Sequence, residues 1–404
     1  MDRLVRDVLL GAFVLGLGVS ITLSETALAL LAVRWLVRVL TGRAERVNRW
    51  PLALPVLAWI AVSLLAAALS PHPGESLTVA SKGLLLIVAL YVLVDALPKP
   101  VPAERFVAGL LAAVTIASLA GIAQVGACAV LGGSMSPPTT PVIGRYLWKC
   151  HRARGFYSIY MTLAGVLNLV LLAALPRLTI APRRRWMPFA WVVGALALAL
   201  TYVRGAWLGF LVGLGALVGL VRRGRLLVAV GLLVLIAAVL LVPAVRRRAE
   251  SIADPADPTA RDRWSMWRSG VAIARDHPLL GIGPGQVKHV YRLYAEAEAL
   301  QRSRGHLHNT PLQILVERGA LGLAAWLAVY ATFFVQSAGI LRRLPPDAAL
   351  PRALVTGGMA AIAAFLVAGL TEYNFGDSEV VMVAWSLMSL PFIAPRDTTP
   401  PPRF

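Results

Sequence analysis

The stretch WVVGALALALTYVRGAWLGFLVGLGALVGL, residues 191–220, carries a single charge, Arg204, in an otherwise apolar run. A helix needs ~20 predominantly apolar residues to cross a bilayer. The run therefore reads as two spans separated by almost nothing, with Arg204 at the outer end of the hairpin. Working outward, apolar runs fall at roughly 7–23, 26–40, 51–69, 82–97, 106–131, 157–176, 187–203, 206–221, 225–243, 310–336, 352–371 and 378–394, about twelve in all. Of 404 residues, 58% are hydrophobic and 15% charged, with mean hydropathy +0.72, which excludes an ordinary soluble domain. The expected class is an all-α polytopic membrane protein. A membrane β-barrel is excluded, because its segments would alternate polar and apolar residues. The first run is expected to be a span and not a cleaved leader, since it shows no small-residue cleavage site and a second run follows at once.

Basic residues set the orientation. With both ends inside, the inner segments hold Arg3 and Arg6; Arg43, Arg46 and Arg49; Lys99 and Arg105; Arg177, Arg183, Arg184 and Arg185; Arg222, Arg223 and Arg225; Arg342 and Arg343; and Arg396 and Arg403. Two outer loops are basic as well. Residues 132–156 carry Arg145, Lys149, Arg152 and Arg154 with no acid, and residues 244–307 carry a longer series from Arg246 to Arg304. With a net charge of +19, the partner is acidic, either anionic lipid headgroups or an anionic ligand. The chain divides into spans over 1–243, an outer loop domain at 244–307 and spans over 308–404.

Within the loop, Asp257-Pro258 caps a helix whose Trp264, Trp267 and Val271 form an apolar stripe. GIGPGQ at 281–286 breaks it, and a second helix is expected over 286–300. Cys128 and Cys150 both lie on the outer, oxidising side; a disulfide between them and a buried free thiol at Cys128 are both open readings. No Cys/His spacing suggests a metal.

RGHLHNTPLQILVERGALG, residues 304–322, places His306 and His308 at the mouth of a span. Thr310-Pro311-Leu312-Gln313 reads as a capping box that starts the span near 311. His308 then sits just outside the positive end of the helix, where imidazolium is disfavoured and a general base is favoured. Glu317 and Arg318 follow inside the span, where ionisable side chains default to a functional role. Gly319 and Gly322 would let a neighbouring helix approach. Arg204, Arg263 and Arg152 would converge near His308 at the membrane surface, and arginine suits bidentate capture of phosphate.

His308-Asn309 followed by Gly319-x-x-Gly322 resembles the signature of the O-antigen ligase and polymerase superfamily, the ligases being the nearer match. RGAWLG at 204–209 is similar to that superfamily's Arg-Gly element. RWSMWRSGVAIARDHPLLGIGPGQ, residues 263–286, resembles its Arg-x3-Trp helix and the turn that follows. RARGFYS at 152–158 matches more loosely.

The resemblance implies a GT-C-type glycosyltransferase fold of about twelve helices in the bacterial inner membrane, acting on the periplasmic face. It implies transfer of a glycan from undecaprenyl diphosphate to a sugar hydroxyl of lipid A–core, inverting and metal-independent. His308 would be the base, with Arg204, Arg263 and Arg152 on the diphosphate and Arg154 an equal alternative to Arg152. Glu317, His306 and Asn309 are secondary candidates. The partners would be the undecaprenyl-diphosphate-linked glycan, lipid A–core and membrane lipids, with neither cofactor nor nucleic acid. The residues themselves hold no Asp-x-Asp for a divalent ion. A polymerase with a growing glycan as acceptor is the alternative. A twelve-span transporter is disfavoured, because no internal repeat is evident.

Overall fold

The structure is a computed structural model that describes residues 2–43, 50–131, 150–180, 184–220, 243–250, 257–296 and 302–394, with single positions at 229–241 and 299. The described residues are helical, with no strand among them. In chain order the helices are α1 (Asp2–Val19), α2 (Ile21–Leu40), α3 (Ala53–Ala68), α4 (Pro73–Leu85), α5 (Val88–Ala96), α6 (Pro100–Leu131) and α7 (Tyr160–Ala174). There follow α8 (Trp186–Leu200), α9 (Arg204–Leu220), α10 (Pro243–Glu250), α11 (Pro258–Asp276), α12 (Val287–Tyr294), α13 (Thr310–Arg343), α14 (Ala349–Ala368), α15 (Ser378–Met388) and α16 (Leu390–Ile393).

Among the described residues, five segments are long and apolar enough to cross a bilayer: Pro73–Ala96, Pro100–Val130, Tyr160–Thr179, Thr310–Arg343 and Ala349–Ala368. The sequence suggested more. Helices α3, α8 and α9 are apolar but hold 16, 15 and 17 residues. At 1.5 Å per residue they reach about 22–26 Å, short of a ~30 Å hydrocarbon core. An apolar run counts residues such as Val203 that lie outside the helix proper. The run at 225–243 falls largely outside the described residues, as do Arg46, Arg49, Arg145, Lys149, Arg183, Arg222, Arg223, Arg225, Arg396 and Arg403.

At the centre, α7 is buried along nearly its whole length, packed by α6, α8, α9, α14 and α15. Small residues set the closest approach. Gly205, Gly209 and Gly213 form one stripe of α9, and a Cβ at Gly209 would stand 2.5 Å from the Ala364 carbonyl oxygen of α14. Backbone-to-backbone packing of this kind needs glycine. It lays the start of α9, with Arg204, beside the chain leaving α14. Cys128, near the end of α6, is disulfide-bonded to Cys150, with Cα atoms 5.6 Å apart. The bond ties α6 to the segment that carries Arg152 and Arg154 and removes the free-thiol reading of Cys128.

Helix α11 begins as expected: the Asp257 side chain accepts from Ala260 N–H at 3.0 Å and caps it. Its buried face is not the Trp264–Val271 stripe, which the sequence allowed on the bilayer surface or on the span ends. Met266, Ser269 and Ile273 face a small core with Tyr291, Leu307 and Val316, whereas Trp264 and Val271 are exposed. The winning stripe has the same helical spacing but is diluted by Ser269 and by Gly270, against which Leu307 and Leu312 close in. Helix α12 stops at Tyr294, short of the expected 300.

Candidate active site

The turn HPLLGIG is inserted into a break in α13. Gly319 has φ 65° and ψ −169°, which is not helical. The break frees backbone groups that α13 would otherwise pair internally. Ile282 and Gly283 N–H donate to the carbonyls of Val316 and Glu317, each at 2.9 Å, and Ala320 N–H donates to Pro278 O at 2.7 Å. Every buried backbone group needs such a partner. A Cβ on Gly319 would collide with the Leu279 backbone. Gly319 therefore breaks the helix and admits the turn, where the sequence suggested the approach of a neighbouring helix.

Glu317 is the keystone of this junction. Its carboxylate accepts from Gly285 N–H (3.0 Å), Gln313 Nε2 (2.7 Å) and Arg318 Nη1 (2.8 Å). Gln313 in turn accepts from Leu307 N–H at 2.9 Å, which fixes the residue before His308. Helix α13 is capped by Asn309, one residue earlier than expected. The Asn309 side-chain oxygen accepts from Leu312 N–H and its amide donates to Leu370 O, both at 2.9 Å. Thr310, expected as the cap, instead donates its hydroxyl to Glu372 O and to Asn374. The missed signal was the asparagine itself, as good a cap as threonine.

His308 follows in the left-handed region, at φ 48°, a conformation that costs an ordinary side chain ~1–2 kcal/mol. It is held there by Glu372, whose Oε2 lies 3.1 Å from His308 Nδ1. Arg263 donates from Nη2 to the other oxygen of the same carboxylate. Burial alone would push the Glu372 carboxyl up, but the hydrogen bond from His308 and the Arg263 charge outweigh it and hold the group below its usual range. An ionised carboxylate only accepts, so Nδ1 carries a proton and donates to it, and Nε2 is the ring nitrogen that Glu372 does not engage. His306 stacks edge-on against His308, with ring centroids 4.3 Å apart. Burial and the neighbouring His308 push its imidazole down to about 4.

The arginines assemble beside this triad. Arg204, at the start of α9, donates to Asp257 at 3.1 Å, and Arg248 reaches the other Asp257 oxygen at 3.6 Å. Burial and the charges of Arg204 and Arg152 push the Arg248 guanidinium down, with Arg263 adding to the same field. Arg152 lies over the Tyr160 ring, 4.4 Å from its centroid. Thus Arg152, Arg204, Arg248 and Arg263 share one neighbourhood with the carboxylates of Asp257 and Glu372. Arg154 is placed against α6, its backbone N–H donating to Gln124 at 3.3 Å. Sequence reasoning named three of the four arginines but missed Arg248, Asp257 as their counter-charge, and Glu372. A cleft of about 260 Å³ opens onto His306, His308 and Glu372, floored by Gly165, Val203 and Ala206. Among the described residues, no group of three or more His, Cys, Asp or Glu side chains is placed to hold a metal ion.

These features describe an integral membrane protein of the helical class with a histidine-bearing cleft and, paired to Asp257 and Glu372, a cluster of arginines. Residues 188–327 match the family described as O-antigen ligase, a segment that runs from α8 into α13 and contains Arg204, Arg263 and His308. The chain is also 31% identical, over 147 residues, to the exopolysaccharide production protein ExoQ of Rhizobium meliloti (strain 1021). That alignment covers 32% of this chain and 32% of the relative, so the match spans about a third of the relative's length. The two matches show the resemblance to the ligase and polymerase superfamily that the motifs carry.

Proposed function

We propose that this protein is an inverting, metal-independent glycosyltransferase, an O-antigen ligase. It moves a glycan from undecaprenyl diphosphate to a sugar hydroxyl of lipid A–core at the periplasmic face of the bacterial inner membrane. The proposed frame is a twelve-span GT-C-type fold divided at 1–243, 244–307 and 308–404. His308 Nε2 takes the proton of the acceptor hydroxyl. The acceptor oxygen bonds to the anomeric carbon as that carbon's bond to the diphosphate oxygen breaks, and the electron pair leaves on the diphosphate. Arg204, Arg263 and Arg152 hold the diphosphate and meet its growing charge, and Arg248 joins them; Arg154 serves the loop that positions Arg152.

The observation that carries this reading is the continuous contact from His308 through Glu372 to Arg263. It couples a base to a phosphate-type cation within one hydrogen-bonded unit. Base catalysis supplies ~10²–10⁴-fold, and positioning of two lipid-anchored substrates supplies much of the rest. Asn309 acts by capping α13, and Glu317 by holding the turn. His306 packs against the base and lines its cleft.

A second reading, a polymerase whose acceptor is a growing undecaprenyl-linked glycan, is favoured by the name of the relative, an exopolysaccharide production protein. Purified protein incubated with lipid A–core and undecaprenyl-diphosphate glycan separates the two. Product on lipid A–core supports the ligase, and longer undecaprenyl-linked glycan supports the polymerase. No product of either kind contradicts both.

A further inference from the structure

A second cleft of about 260 Å³ lies beside the first. The two share Gly305, Tyr373, Gly376 and Asp377 as a common wall. Their other linings differ in chemistry. The first carries the histidines over a floor of small apolar residues. The second carries Trp59 and Ser63 from α3, Lys82 and Gly83 from α4, Arg318 from α13 and Ser378 from α15.

Arg318 is fixed before any ligand arrives. Glu317 holds it at 2.8 Å, Ser63 accepts from its Nε at 3.2 Å, and its guanidinium lies 4.9 Å from the centroid of Trp59. Asp377, in the shared wall, accepts from the Thr162 hydroxyl at 2.5 Å and from Val380 N–H at 3.3 Å. A preformed rim of cation, carboxylate and hydroxyl groups beside aromatic rings suits a polyhydroxylated ligand. Lys82 and Gly83 are exposed and lie within the bilayer-crossing segment Pro73–Ala96, which gives a lipid-anchored molecule lateral access.

We propose that this second cleft binds the acceptor saccharide and presents its hydroxyl to His308 past Tyr373. The inference rests on the transferase reading. Under that reading the arginines that would hold the leaving diphosphate gather around Arg204 at the start of α9, and Val203, just before the helix, and Ala206 within it border the first cleft. Inversion requires the nucleophile to approach from the face opposite the leaving group. The second cleft, across Tyr373, supplies that approach.

Gly83→Trp tests the assignment in the purified full-length protein. A Cβ at Gly83 meets nothing within 4 Å, so a bulky side chain can be placed at this cleft-lining position without a backbone clash. The acceptor KM should rise at least about tenfold, a loss of about 1.4 kcal/mol, while binding of labelled undecaprenyl-diphosphate glycan is unchanged. Lys82→Ala, at an exposed position, should raise acceptor KM in the same direction with less effect and no change in unfolding temperature. An unchanged acceptor KM in both variants, or donor affinity falling in parallel with it, would overturn the proposal. A wild-type protein that binds donor and transfers to no acceptor would instead overturn the transferase reading on which it rests.

Discussion

His308 and Glu372 come from opposite ends of the membrane helix pair α13–α14, yet Nδ1 of one meets Oε2 of the other at 3.1 Å. The carboxylate engages Nδ1, so in the proposed mechanism Nε2 is the nitrogen that meets the acceptor hydroxyl. Glu372→Gln should therefore keep the fold but lower kcat, because an amide can present either an oxygen or an NH₂ group to Nδ1 and no longer enforces one tautomer. A loss of ~10²-fold or more with donor affinity retained is expected, within the range of general-base catalysis. A kcat within twofold of wild type would remove Glu372 from the site.

The arginines should not be equivalent. Arg263→Ala removes a proposed phosphate ligand and also strips Glu372 of its buried counter-charge, whereas Arg204→Ala leaves Asp257 with Arg248. Breaking a buried pair by removing one partner costs ~3–5 kcal/mol, against ~1.5–3 kcal/mol for one charged hydrogen bond. Arg263→Ala should lower both donor affinity and unfolding temperature, and Arg204→Ala chiefly donor affinity. Lys at either position should recover part of the donor affinity, keeping the charge but losing the planar fork.

The parts of this site visible in the sequence are those whose chemistry is local. His308 stands beside a helix start, and Arg204 interrupts an apolar run. Glu372 was not legible, because an acid at the end of a span reads as solvated until its partner, 64 residues away in the chain, is known. Gly319 was misassigned for another reason: a glycine that lets helices touch and a glycine that breaks a helix leave the same mark. Only the docking of Ile282 and Gly283 onto Val316 and Glu317 tells them apart. On α11 the Trp264 and Val271 stripe legible in the sequence stays exposed, and the buried Met266–Ile273 face was not legible because Ser269 and Gly270 dilute it.

Gly319→Ala tests that break. A methyl group at φ 65° is strained by ~1–3 kcal/mol before its collision with Leu279 is counted. The variant should show a marked fall in unfolding temperature or in the yield of monodisperse protein. A normal unfolding temperature would mean that the turn can leave the helix without cost.

Acid sensitivity follows from His306. Its folded value of about 4 lies below the usual ~6.5 of histidine. Between those values the unfolded chain binds more protons than the folded one, so stability is lost as pH falls from about 6.5 toward 4. His306→Gln should reduce that loss. A stability-versus-pH curve unchanged between pH 6.5 and about 4 in His306→Gln would remove His306 as its source.

Since four guanidinium groups are gathered where a diphosphate would sit, turnover should survive EDTA. Activity lost on chelation and restored by Mg²⁺ or Mn²⁺ would place the phosphate site elsewhere.

The most direct measurement is donor affinity beside single-turnover rate in His308→Ala. With the arginines left in place, undecaprenyl-diphosphate glycan should bind within about threefold of wild type, while the rate of transfer falls by ~10²–10⁴-fold. Abolished donor binding with normal chemistry in the residual complex would contradict the account, making His308 a phosphate ligand and leaving the base to be sought elsewhere.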